Sequence, residues 1–324
     1  MIPCKMIQVL LSTIFFYYSS AANPSYINVQ NFGAKPNGKS DCTKAFLSAW
    51  AAACATTQPA TIYVPAGRYL LRNAIFSGNS CKNKAITIRI DGTLVAPTDY
   101  KVIGNAGNWL KFYRVTGVSI YGGTLDGGGV KLWACKSSGK SCPKGATVRD
   151  DCVSIGPGTS NLWIENLSCG PGHGISIGSL GWDMQEEGVQ NVTVKTATFT
   201  GTQNGVRVKT WARPSNAFVR DVLFQHVVIQ NAQNPIIIDQ NYCPDHQNCP
   251  TEGSGVRISD ITYQDVHGTS ASQVAVKFVC SKTKPCSGIR LDGVNLTYRN
   301  KPAVASCANA DGMASGVVQP TSCF

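Results

Sequence analysis

The sequence predicts an all-β fold: a single-stranded parallel β-helix with a short capping helix near its N-terminus. Three observations carry that expectation. Long helical periodicity is nearly absent, while short runs rich in Val, Ile and Thr recur between Gly and Asn. Those runs fall into two interleaved ladders. One segment alone, Asp41 to Ala53, has helical spacing.

Taken from the start, residues 1–22 carry the marks of a secretory signal peptide. Lys5 gives a weak positive start, Ile7 to Tyr18 an apolar run, and Ser20-Ala21-Ala22 a small-residue cleavage site. The run is too short to span a bilayer, and nothing later approaches the required length. Residues 23–324 then form one domain, with no interdomain linker. Within it, Asp41 is a reasonable helix N-cap, and Phe46, Ala49, Trp50 and Ala53 share one face. A helix there covers the open end of a solenoid, where a bare strand would invite pairing.

The first ladder runs Asn161-Leu-Trp-Ile-Glu-Asn, Asn191-Val-Thr-Val-Lys-Thr, Asp221-Val-Leu-Phe-Gln-His, Asp260-Ile-Thr-Tyr-Gln-Asp and Gly288-Ile-Arg-Leu-Asp-Gly. The second runs Val153-Ser-Ile, Ile175-Ser-Ile, Val206-Arg-Val, Ile236-Ile-Ile and Val274-Ala-Val, with starts 22, 31, 30 and 38 residues apart. Two ladders alternating in step are what stacked coils produce, each coil burying its inward residues against its neighbours. An antiparallel sandwich would instead show hairpin turns between paired runs. Asp91-Gly92 and Asn204-Gly205 are such dipeptides, but the interleaved repeat outweighs them.

Fourteen cysteines suit an oxidising compartment, and removal of Cys4 with the signal leaves an odd number. Short spacings suggest Cys135–Cys142, Cys152–Cys169, Cys243–Cys249, Cys280–Cys286 and Cys307–Cys323. Cys42, Cys54 and Cys81 then compete for one bond, leaving one thiol stranded. Cys243-x2-His246-x2-Cys249 could hold a metal with a fourth ligand, but a disulfide is simpler in that compartment. Sequons at Asn166, Asn191 and Asn295 fit the same route.

The formal charge is +11, or +10 without Lys5, so polyanions are attracted. No arginine-rich arm, zinc finger or RNA-binding aromatic motif is present, which argues against nucleic acid. Lys131, Lys136, Lys140 and Lys144 form a basic run that reads as a solvated loop.

Aligning the second ladder places Asp151 over His173 and Asn204, Ser154 over Ser176 and Arg207, and Gly156 over Gly178 and Lys209. Adjacent strands lie roughly 4.8 Å apart, so residues scattered along the chain become one patch. Asp150 and Asp151 offer the two carboxylates that divide the work at a glycosidic bond. Arg207 and Lys209 offer cations for an acidic polymer, and glycines around His173 would let a sugar ring approach the backbone.

Asp150-Asp151-Cys152, Cys169-Gly-Pro-Gly-His173-Gly and Arg207-Val-Lys209, in that order, resemble the plant polygalacturonases of glycoside hydrolase family 28. The likeness runs from Asn31-Phe-Gly-Ala through Gln319-Pro-Thr-Ser-Cys323. It implies a right-handed, pectin-lyase-like β-helix and a secreted enzyme of the cell wall. The implied reaction is inverting hydrolysis of α-1,4-galacturonosyl linkages in pectin, by a monomer without metal or cofactor. By the same resemblance Asp150 is the general acid, Asp151 helps activate water, His173 supports the site, and Arg207 and Lys209 bind substrate carboxylates. Val208 stands where the family usually has Ile.

The chain also departs from the family. Ser141-Cys-Pro-Lys-Gly-Ala146 runs through Thr147-Val-Arg149 straight into Asp150, with no Asn-Thr-Asp-Gly motif and Arg149 in place of the usual Gly. That motif supplies the other water-activating carboxylate. The sequence therefore reads as carrying an internal deletion of whole coils. Reduced activity is expected, and a catalytically inactive pectin-binding homologue is the alternative. A calcium-dependent lyase would need an acidic site that cannot be assembled here.

Overall fold

The computed structural model describes residues 25–99, 102, 108–128, 151–244 and 247–324. Among these, the strands form two sheets, one of fifteen strands and one of eight, paired almost throughout in parallel. The chain is a parallel β-helix, right-handed as crossovers between parallel strands are.

The corners explain why the sequence coils. Asn161, Asn191, Asp221, Asp260 and Gly288 all have φ between 52° and 65°, and each opens one rung of the first ladder. Five positions on, Asn166, Thr196, His226, Asp265 and Gly293 repeat that left-handed conformation. Asn, Asp and Gly tolerate it better than other residues, so the polar punctuation between apolar runs is a column of bends. Asn191 Nδ2 donates to Asn161 Oδ1 at 2.5 Å, and Asn161 Nδ2 donates to Thr116 Oγ1 at 3.2 Å, so the column also bonds along itself. Between corners, alternate residues point inward. Leu162, Val192, Val222 and Ile261 stack in register, as do Ile164, Val194, Phe224 and Tyr263. All are buried.

The second ladder has the expected register from Val153 through Ile175 and Val206 to Ile236. Its last rung differs: Ile236 pairs with Val276, two residues beyond Val274. Against the next coil the register shifts between Val274 and Val276, which pair with the consecutive residues Val304 and Ala305, so the strand carries one extra residue there.

The helix spans Thr43–Ala55 and buries Phe46, Ala49, Trp50 and Ala53 on the predicted face. Its cap is displaced from Asp41 to Cys42, because Asp41 ends the strand Asn37–Asp41. Asp41 still serves the helix start, accepting from Thr43 N–H at 2.9 Å and from its hydroxyl at 2.6 Å.

The inferred deletion itself lies outside the described residues, but the described coils on either side of it pair directly. Leu110–Tyr113 pairs directly with Val153–Ile155, and Thr116–Tyr121 with Ser160–Cys169. Thr124 and Leu125 pair with Ser168 and Cys169. The bends cross the joint too, because Gly117 (φ 68°) and Gly122 (φ 76°) stand where Asn161 and Asn166 do in the next coil. An apolar void of about 30 Å³ is lined from both coils, with Phe112 and Leu125 on one and Val153 on the other.

Five disulfides join described cysteines: Cys54–Cys81, Cys152–Cys169, Cys243–Cys249, Cys280–Cys286 and Cys307–Cys323. The three-way competition resolves with Cys42 as the buried free thiol. Residues 1–22, Cys135, Cys142 and the lysine run lie outside the described residues. No helix among those described is long and apolar enough to cross a membrane.

Candidate active site

Three neighbouring strands of the eight-stranded sheet build the site: Val153–Ile155, Ile175–Leu180 and Asn204–Thr210. Ser154 pairs with Ser176 and Ser176 with Arg207, while Gly178 pairs with Lys209. These rows of the column expected from the sequence therefore form. Val206 and Val208 turn into the core, which leaves Arg207 and Lys209 on the opposite face.

Asp151 is the centre of this patch and is fully buried. Its Oδ1 accepts from Ser176 Oγ and Arg207 Nη2, both at 2.8 Å. Its Oδ2 accepts from Ser154 Oγ at 2.8 Å and Lys209 Nζ at 2.6 Å. Arg207 Nε also donates to Ser176 Oγ at 2.9 Å, so the serine relays between cation and carboxylate. Each carboxylate oxygen has two donors, which fills its acceptor capacity.

Burial alone would raise the Asp151 pKa, but Lys209, Arg207 and His173 outweigh it and hold the carboxyl at about 2. For Lys209, burial is the stronger influence. It lowers the ammonium to about 8 although Asp151 pulls the other way. The cluster of Asp151, Arg207 and Lys209 thus carries one residual positive charge near neutral pH.

His173 is buried beside this cluster, and its backbone carbonyl accepts from Asn204 Nδ2 at 3.2 Å. The glycine that follows it is required by coil packing. Gly174 has φ +78°, and a Cβ there would lie 2.1 Å from the carbonyl oxygen of Asn204. Asp150 lies outside the described residues, as do Arg149 and His246. Cys243 and Cys249 form the disulfide, and no group of His, Cys, Asp and Glu able to hold a metal occurs among the described residues.

Residues that the motif reading did not assign to the site also belong to it. Ser154 and Ser176, which the ladder puts in the same column, bind Asp151 directly. Lys111 enters the same row by pairing with Ser154. Tyr242 lies with its ring centre 5.2 Å from Lys209 Nζ and 5.8 Å from Arg207 Cζ. Its signal was faint: like Trp182 and Trp211, it closely follows the end of a second-ladder strand.

Comparison with known proteins places the chain in a family. The family described as glycosyl hydrolases family 28 matches residues 142–323, and one described as rhamnogalacturonase A/epimerase, pectate lyase-like, matches 26–110. A polygalacturonase of Prunus persica is 52% identical over 389 aligned positions, covering 99% of this chain and 99% of that protein. An exopolygalacturonase of Platanus acerifolia is 35% identical over 369 positions, covering 91% of this chain and 97% of its own. Both alignments are longer than the 324-residue chain, so both contain gaps opposite residues of the relative. An iota-carrageenase of family GH82 from A. fortis shares the fold at TM-score 0.57 and 15% identity, covering 88% of this chain and 59% of that one. With one family spanning the coils that carry Asp151, His173, Arg207 and Lys209, and near-complete coverage by a relative at 52% identity, the chain belongs to glycosyl hydrolase family 28.

Proposed function

We propose that this chain is a secreted, polygalacturonase-type hydrolase of cell-wall pectin, built to cleave α-1,4-galacturonosyl linkages with inversion and impaired in this form. Names of the relatives support the substrate class. The five disulfides and the apolar segment of residues 7–18 support secretion. We take it to act as a monomer, without metal or cofactor.

Inversion needs a protonated group for the leaving oxygen and a base for the proton of the attacking water, set on opposite faces of the sugar. Asp150 is assigned the acid role. The observation that carries the impaired state is the saturation of Asp151. With four donors on two oxygens, full burial and a pKa of about 2, it has neither a free lone pair nor contact with solvent. Its part is electrostatic: it holds Arg207 and Lys209 in place, and their residual positive charge draws a uronate toward His173. The carboxylate that would take the water's proton belongs to the absent Asn-Thr-Asp-Gly coil. Losing one acid–base partner costs about 10²–10⁴-fold in rate.

The same saturation favours a second reading, a pectin-binding homologue without turnover. Reducing-end release from polygalacturonate separates the two. Slow release, with the newly formed end of β configuration by proton NMR, supports the inverting hydrolase. Binding without release over long incubation supports the binder, and initial α product overturns inversion.

A further inference from the structure

The loop after the strand Ile175–Leu180 holds a tryptophan outward in a fixed position. Trp182 is 51% exposed. Its loop is nonetheless fastened on both sides. Glu186 accepts from the backbone N–H groups of Gly181 and of Trp182, the latter at 3.2 Å. Arg213 Nη1 donates to the Trp182 carbonyl at 3.2 Å, and Ser215 Oγ donates to the Asp183 carbonyl at 3.0 Å. Glu186 from within the loop and Arg213 and Ser215 from the next coil thus fix the backbone that carries this half-exposed ring.

Two further contacts give the position chemical sense. The Arg213 guanidinium lies 4.3 Å from the Trp182 ring centre, and no carboxylate among the described residues pairs with it. The Trp182 ring also meets Trp211 edge to face at 4.8 Å, and Trp211 meets Tyr242 likewise at 5.2 Å. Tyr242 in turn lies against Arg207 and Lys209. Three rings at one corner of three successive coils therefore lead from the Asp151 cluster to Trp182. A linear polymer seated at the cluster and running along these rings would meet the indole further along its length.

We propose that Trp182 and Arg213 form an additional binding site for one uronate residue of the polymer, the indole packing on the ring's C–H groups and the guanidinium pairing with its carboxylate. This rests on the reading of the substrate as a polyuronate. An aromatic surface takes the apolar side of a sugar, and a cation stacked on it is already oriented for an anion. Because the loop is fastened beforehand, little ordering cost remains to be met on binding. Trp and Arg are also the residues that most often dominate a contact surface.

The test is the length dependence of oligogalacturonide affinity, measured by calorimetry on the whole chain. Wild type should bind long oligomers more tightly than short ones. Trp182→Ala and Arg213→Gln should each weaken long-oligomer binding about five- to tenfold while leaving short oligomers unchanged. Trp182→Phe should recover most of the loss, which a folding defect would not allow. If both variants keep the full gain with length, the additional site is overturned while the polyuronate reading stands. If wild type binds no oligogalacturonide of any length, both fall together.

Discussion

Lys209 brings its ammonium nitrogen to 2.6 Å from Asp151 Oδ2 across fifty-eight positions of sequence, with the coil of Ile175–Leu180 between them. Neither residue is left with appreciable contact with water. A buried pair of this kind is held by its geometry, and its weakness is that a cation left without its carboxylate stays buried and uncompensated.

Replacing the carboxylate exposes that weakness. Asp151→Asn keeps the shape but leaves Arg207 and Lys209 buried without a counter-charge. Stability should fall by about 3–5 kcal/mol. Lys209→Met should cost less, because Arg207, Ser154 and Ser176 still satisfy Asp151. Urea denaturation of the two variants beside wild type gives the order, and the reverse order would contradict the central role of Asp151.

Acid should loosen the fold through the same group. The folded pKa of Asp151 is about 2 against an ordinary 3.8, so its contribution is fully present above about pH 4 and is lost as pH falls through 2. The shift corresponds to about 2 kcal/mol. Urea midpoints between pH 5 and 2 should show that loss in wild type, and Asp151→Asn should lack this part of the slope.

Polymer binding should be sensitive on the alkaline side. Burial lowers Lys209 to about 8, so above that pH the cluster sheds its residual positive charge. Affinity for polygalacturonate should decline as pH rises through 8, at constant ionic strength. Lys209→Arg, which cannot lose its proton there, should flatten the decline. Stability moves oppositely: between about 8 and 10.5 the unfolded chain holds the proton that folded Lys209 has lost, so this lysine makes the fold more stable as pH rises.

The turn beside His173 should be intolerant of a methyl group. Gly174→Ala combines a left-handed φ with a Cβ 2.1 Å from a neighbouring backbone oxygen. The backbone must move, at a cost of roughly 1–3 kcal/mol. Thermal unfolding should show the loss, and an unchanged melting temperature would mean that the coil beneath can yield.

Breaking the adjacent bridge should also be felt. Cys152 follows Asp151 directly and pairs with Cys169, closing a loop of sequence separation 17. The paired substitution to Ser should cost about 3 kcal/mol. Reduced substrate affinity should accompany it, because the bridge anchors the strand that presents Asp151.

What the sequence made legible follows from backbone periodicity. The column Ser154, Ser176, Arg207 could be aligned because the apolar residues on either side have a fixed inward direction. The bends at Asn161, Asn191, Asp221, Asp260 and Gly288 could be seen because few residue types accept them. The slip at Val274 could not be seen, since an irregularity changes spacing without changing composition. Nor could the closure of Asp151 onto four donors, because it depends on how far side chains reach, which no ladder records. Trp182, Trp211 and Tyr242 share a corner but not a motif.

The direct pairing of the coils 108–126 and 151–169 has a consequence for how such chains vary in length. Their backbone works like a chain of identical links, from which a whole number can be removed and the ends rejoined. Removing a fraction of a link would turn the inward column of Val118, Leu162 and Val192 out to solvent. Permissible lengths are therefore quantised, and the quantum is one turn with its two bends. Shape survives each such step intact, while chemistry departs with whichever turn is lost.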